Sequence, residues 1–209
     1  MKFRSILIAF CVLGAFLFSS SAAFAQDVTP PEGLHHYEID KNHSSVVFRI
    51  KHMDVGFVFG MFRGYDGSFV FDEENLEESE FNFTIEANSI FTNNETRDGH
   101  LKSPDFFAAE EYEEITFAST SVERVNEKTY RITGDMTIRG TTNEITVMAD
   151  QTGQTIDQAN RFRRGFLTTF AVNRMDFGVD EMPDGLGHHV RVQFAIQGFI
   201  PDEDDEDEG

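Results

Sequence analysis

The side chains able to do chemistry are seven histidines, a serine beside a histidine and a large stock of carboxylates. His35-His36 and His188-His189 are adjacent pairs, and neighbours on an extended strand point to opposite faces, so each pair offers one metal ligand per face at most. His52 shares the parity of Phe48 and Ile50 and reads as a histidine at the end of a strand rather than a ligand. Ser44 follows His43, but no strand–turn–helix nucleophile elbow surrounds it, and the only cysteine is Cys11. Thirty-seven acids on a solvated surface do not make a general acid–base pair. Neither a catalytic centre nor a metal site is therefore expected. The remaining polar residues of interest are Arg97, Asp98, Arg139, Arg174 and Asp176, in or beside expected turns. Two roles are open to them: hydrogen-bonding irregular backbone, or facing the polar end of a ligand.

The elements that must position these groups are announced by a phenylalanine-rich alternation of period two. Phe81, Phe83 and Ile85 share one parity against Asn82, Thr84 and Glu86, and Val190, Val192, Phe194 and Ile196 repeat it against Arg191 and Gln193. Such segments are strands with one apolar and one wet face. The expected strands are 37–40, 43–52, 57–63, 65–71, 80–88, 115–122, 129–139, 143–151, 162–174 and 188–200. The third and fourth, separated only by Gly64, read as one bent strand or a tight pair. Residues 93–111 break the alternation and predict one or two short helices, one of them with Ser103 as N-cap and Pro104 in its first turn. About eight antiparallel strands in one domain imply a closed barrel or a sandwich. The inward set is Phe48, Ile50, Phe81, Phe83, Ile85, Phe117, Ile132, Met136, Ile145, Val147, Phe170, Val192 and Phe194, with Phe106 and Phe107 over one end. Which parity of 57–63 faces inward is ambiguous.

Residues 1–25 read as a signal peptide: Lys2 and Arg4, an apolar run from Ile6 to Phe18, then Ala23-Phe24-Ala25 before a cleavage point at Gln26. That run is shorter than the ~20 residues that span a bilayer, so stable membrane insertion is not expected. Export to the periplasm or beyond follows, with 26–36 as a linker and 37–200 as the domain. The residues after the expected cleavage carry no cysteine, so stability must come from a core. The net charge of −20 repels phosphate backbones and, taken over the whole surface, anionic lipid headgroups, so nucleic acid is not an expected partner. Seven consecutive acids, Asp202 to Glu208, read as a solvated tail within 201–209.

Across most of this length the chain resembles the YceI-like proteins. The resemblance is carried by Asp40, His43-Ser44, Phe48 and His52; by Gly60-Met61-Phe62 and Gly67; and by Ala87-Asn88-Ser89-Ile90 with Thr92. It continues through 97–107, Ile115 to Thr120, Gly134 to Gly140 and Asn173 to Gly178. The resemblance implies an all-β, eight-stranded antiparallel, lipocalin-like barrel around a tunnel for polyisoprenoid or quinone-like lipid, with no catalytic centre and no cofactor beyond such a lipid. The expected role is to carry or store that hydrophobic ligand, as a monomer or homodimer. A self-filled barrel acting as an interaction module and a metal-assisted enzyme at the mouth are the alternatives.

Overall fold

The computed structural model describes residues 28–201; the expected signal segment and acidic tail lie outside them. The strands are β1 (His35–Ile39), β2 (Ser45–His52), β3 (Gly56–Phe62), β4 (Tyr65–Phe71), β5 (Glu80–Glu86), β6 (Ile90–Phe91), β7 (Glu114–Arg124), β8 (Thr129–Ile138), β9 (Thr141–Ile156), β10 (Phe162–Asn173) and β11 (Leu186–Phe199). Three pairs of these are single strands with a break: β1 with β2, β3 with β4, and β5 with β6. Counted so, the chain is an eight-stranded antiparallel up-and-down barrel. β1 and β2 both pair with β11 and close the ring. Closure leaves no continuous sheet edge.

Each break has a local device. Between β1 and β2, the Ser44 hydroxyl accepts from the Gln197 N–H at 3.0 Å and stands in for a missing ladder bond. The bend at Arg63-Gly64 is matched by the short 3₁₀ turn at Ala87–Ser89, and Arg63 N–H donates to Ser89 O across the two at 3.2 Å. The ambiguous stretch 57–63 is thus the first half of one bent strand. Between β8 and β9, Arg139 and Gly140 both take positive φ, at 48° and 71°. A two-residue hairpin of this kind twists with its strands.

One helix, α1 (Glu95–Lys102), fills the connection between β6 and β7. Asn94 caps it by accepting from Arg97 N–H at 2.9 Å. One short helix forms, as expected, but it does not start at Ser103. Ser103 ends α1, its hydroxyl donating to His100 O at 2.8 Å. Its carbonyl accepts from Ala108, whose positive φ of 47° turns the chain instead of continuing a helix. Arg97 and Asp98 therefore sit on a helix, not in turns.

The two barrel ends differ. At the end holding the 72–79, 125–128 and 157–161 connections, aromatic rings fill the bore. Tyr37, Phe69, Phe71, Phe81, Tyr130 and Phe166 are each at most 2% exposed. Tyr37 stacks on Phe69 at 4.5 Å, Phe69 on Phe81 at 5.3 Å, and Phe71 meets Tyr130 edge-on at 5.1 Å. Each such contact adds roughly 0.5–1.5 kcal/mol beyond its area. Gly198 makes room for the stack, since a Cβ there would lie 2.5 Å from the Phe69 ring. Arg164 closes this floor from beneath, its guanidinium 4.7 Å from the Phe71 ring centroid and bonded to Glu73 at 2.6 Å.

Candidate functional site

Above the floor the barrel is hollow. A cavity of about 370 Å³ runs from Phe81, Phe166 and Ile196 to the other end, where it surfaces beside His100 and Met182, both exposed. This volume lies in the range of small-molecule sites, which is ~300–1,000 Å³. The burial pattern reports the same space: Phe48, Ile50, Phe117, Ile145, Phe170 and Val192 point inward yet are only half-buried. In a self-filled barrel such residues would be packed dry.

All fifteen apolar residues expected to face the interior line this cavity, Phe106 and Phe107 at the helix end included. Alternation places the strand residues, because each strand crosses the wall with every second side chain inward. The parity of β3 resolves in favour of Val58 and Phe62 inward, with Phe57 and Phe59 outward. Gly60, between them on the inner face, leaves room for Phe48, whose ring would meet a Cβ at 2.4 Å. Several lining residues were not foreseen. Leu101, Phe177, Val179, Met182 and Leu186 come from the helix, the 174–185 connection and the first residue of β11, where no alternation marks a face.

The polar candidates divide by partner. Arg174 is buried and has five N–H groups, and all five go to carbonyls: Gly187, Val179, Glu181, Met182 and Leu186, at 2.5–3.4 Å. It is the clamp of the loop at the mouth. Arg139 reaches Gly178 O at 2.5 Å and Pro104 O at 2.6 Å and so ties two mouth segments together. Asp176 accepts from the Asn173 side chain at 2.8 Å. Buried Asp98 accepts from Thr92 N–H at 2.8 Å. Arg97 differs. Its Nε and Nη2 hold Thr92 at 2.7 Å each, its side chain lines the cavity, and its Nη1 has no partner among the described residues. His52 lines the rim. Midway down, the Thr168 hydroxyl is buried without a partner among the described residues and belongs to a cavity-lining residue.

No arrangement for catalysis is assembled around Ser44 and His43. His43 bonds Asp40 at 2.8 Å, but the Ser44 hydroxyl is held by the Gln197 backbone. Asp40 joins a cluster with Arg163, at 2.5 Å, and Arg163 bonds Asp157 at 2.7 Å. Burial alone would raise the Asp40 pKa, but the hydrogen bonds from Arg163 and His43 outweigh it and hold the carboxyl at about 2. The cluster lies at the floor end, where the first and last strands meet. Among the described residues, no group of three or more histidines, cysteines or carboxylates is placed to hold a metal.

Comparisons with known proteins agree with this geometry. A family model described as the YceI-like domain matches residues 37–198. A UPF0312 protein of Pseudomonas savastanoi pv. phaseolicola is 37% identical over 193 residues, covering 91% of this chain and 95% of its own. A UPF0312 protein of Photorhabdus laumondii is also 37% identical, covering 88% and 92%. The structure of Campylobacter jejuni YCEI protein matches with a TM-score of 0.67 at 27% identity, over 73% of this chain and 90% of that one. A structure described as a polyisoprenoid binding domain from Saccharophagus degradans shares the fold, with a TM-score of 0.64 at 15% identity, over 79% and 98%.

Proposed function

The chain belongs to the YceI-like family, and from that premise we propose that it is an exported binding protein that holds a long apolar lipid, of the polyisoprenoid or quinone-tail type, in the barrel cavity for transport or storage. The observation that carries this reading is the hollow, ring-lined bore, sealed at one end and reaching the surface at the other. The naming of a structural relative as a polyisoprenoid binding domain supports the ligand class. Magnitudes agree. Burying a methylene is worth ~0.8 kcal/mol, so an isoprene unit of about five carbons contributes at most ~4. Three or four units nominally reach the ~12 kcal/mol of nanomolar binding before ordering costs are subtracted. Such a guest needs an apolar sleeve and no catalytic device.

Native mass spectrometry of the protein purified from its host, followed by lipid extraction, tests the reading. A stoichiometric hydrocarbon-rich guest is the expected result. A protein that is ligand-free, and that also fails to take up a polyprenol or quinone offered in vitro, overturns it. The same spectra test export, since the mass of a chain beginning at Gln26 is expected.

A further inference from the structure

The outer surface next to the mouth has a composition that the bore does not explain. Five of the nine exposed large apolar side chains among the described residues gather there. Val55 is 91% exposed, Phe59 65%, Met53 64%, Phe57 53% and Met182 41%. Met53, Asp54 and Val55 form the turn joining β2 to β3, and Met53 N–H donates to Gly185 O at 2.8 Å, which seats this turn on the mouth loop. Met182 lines the cavity from that loop. The apolar patch and the entrance are therefore continuous.

The same face concentrates positive charge in a chain of net charge −20. Arg191, Arg49 and Phe59 are cross-strand neighbours in successive strands, and Lys51 pairs with Phe57. The Arg49 guanidinium lies 4.9 Å from the Phe57 ring centroid, and that of Arg63 lies 3.5 Å from the Phe91 ring centroid. The one carboxylate in the turn, Asp54, is taken by Lys51 at 2.7 Å. β2, β3 and β11 themselves carry no aspartate or glutamate, and the acids Asp180, Glu181 and Asp184 are on the adjoining mouth loop. An apolar tip with a collar of cations and aromatic rings matches the layering of a lipid surface, acyl chains beneath anionic headgroups.

We propose that the β2–β3 turn and the adjoining outer face of β2, β3 and β11 dock on an anionic bilayer, with Val55 and Phe59 entering the headgroup layer and the mouth beside them. The proposal rests on the cavity taking lipid, since a guest of that kind cannot cross water unaided and must pass from membrane to bore at a shared boundary.

Cosedimentation with vesicles of phosphatidylcholine and phosphatidylglycerol tests it, using protein purified from its host and the double variant V55D/F59D. Neither side chain lines the bore, so the thermal midpoint and the co-purifying guest are expected to be unchanged, while partitioning onto vesicles falls at least tenfold. Raising salt is expected to weaken the wild type as well. Absence of vesicle binding by the wild type, or equal binding by the variant, overturns the proposal. So does a wild-type dimer that the variant converts to monomer without any vesicle binding, since the face would then join two copies. Protein that is empty, and takes up no polyprenol or quinone offered in vitro, yet still docks on vesicles would refute the lipid-carrier reading and leave the docking surface standing.

Discussion

At the scale of single residues, the arginines of the mouth show how differently one side-chain type can be spent. Arg174 and Arg139 give their donors to loop carbonyls. Arg97 keeps Nη1 free of partners among the described residues while its side chain lines the bore. If the bore holds a prenyl lipid as proposed, Arg97 is the arginine that would meet a polar group at its outer end. A hydrogen bond from a charged donor contributes about 1.5–3 kcal/mol. Arg97→Ala is therefore expected to weaken binding of a headgroup-bearing prenyl lipid about tenfold or more, and to leave the matching bare hydrocarbon unaffected. Fluorescence titration with the two ligands checks this, and equal losses for both would show that Arg97 only braces Thr92. Arg174→Ala has a different expected outcome. It strands several buried carbonyls, so a loss of about 3 kcal/mol or more in urea unfolding is expected, with the 179–187 loop exchanging its amide hydrogens faster.

At the scale of elements, parity was readable from the residue order, and depth was not. Every strand residue expected to face inward lines the cavity, because alternation is a local property of extended chain. Tyr37, Phe69, Phe71, Tyr130 and Phe166 have the inward parity too, yet they form the floor. Their position along the bore depends on the stagger between neighbouring strands, which no single strand encodes. β3 stayed ambiguous because Phe57, Phe59 and Met61 on one face are as apolar as Val58 and Phe62 on the other. The outward set makes sense only once the surface beside the mouth is seen. The helix start was missed because Ser103-Pro104 carries a strong capping signature. Asn94, nine residues earlier, carries one as good, and the left-handed Ala108 stops any helix from following the second. The element that seals the bore offers its own test. Gly198→Val on β11 would drive a branched side chain into the Phe69 ring, and such overpacking costs about 1–3 kcal/mol. A lowered thermal midpoint is expected, and an unchanged one would mean that the ring stack yields.

At the scale of the whole molecule, the barrel depends on one seam, where β1 and β2 lie against β11. Asp40 sits in the break of that seam, held by Arg163 and His43 with its pKa at about 2. In the unfolded chain an aspartate titrates near ~3.9, so the folded value is depressed. The stability it contributes is fully present above about pH 4 and is lost as pH falls through 2, to a total of about 2 kcal/mol. Urea unfolding of the wild type and Asp40→Asn is expected to show a gap of that size at pH 6, closing towards pH 2. A gap that does not change with pH would remove the carboxylate from this role. The net charge of −20 favours solubility through repulsion between copies.

The aromatic floor turns the barrel from a pipe into a test tube. A chain-like guest of the proposed kind would have one way in and would leave by the same opening. Whatever enters first comes out last. The depth of the tube then acts as a ruler, with its zero at Phe81 and Phe166. A chain shorter than the bore leaves a void above it, and a longer one stands proud of the rim, within reach of whatever surface the rim is pressed against.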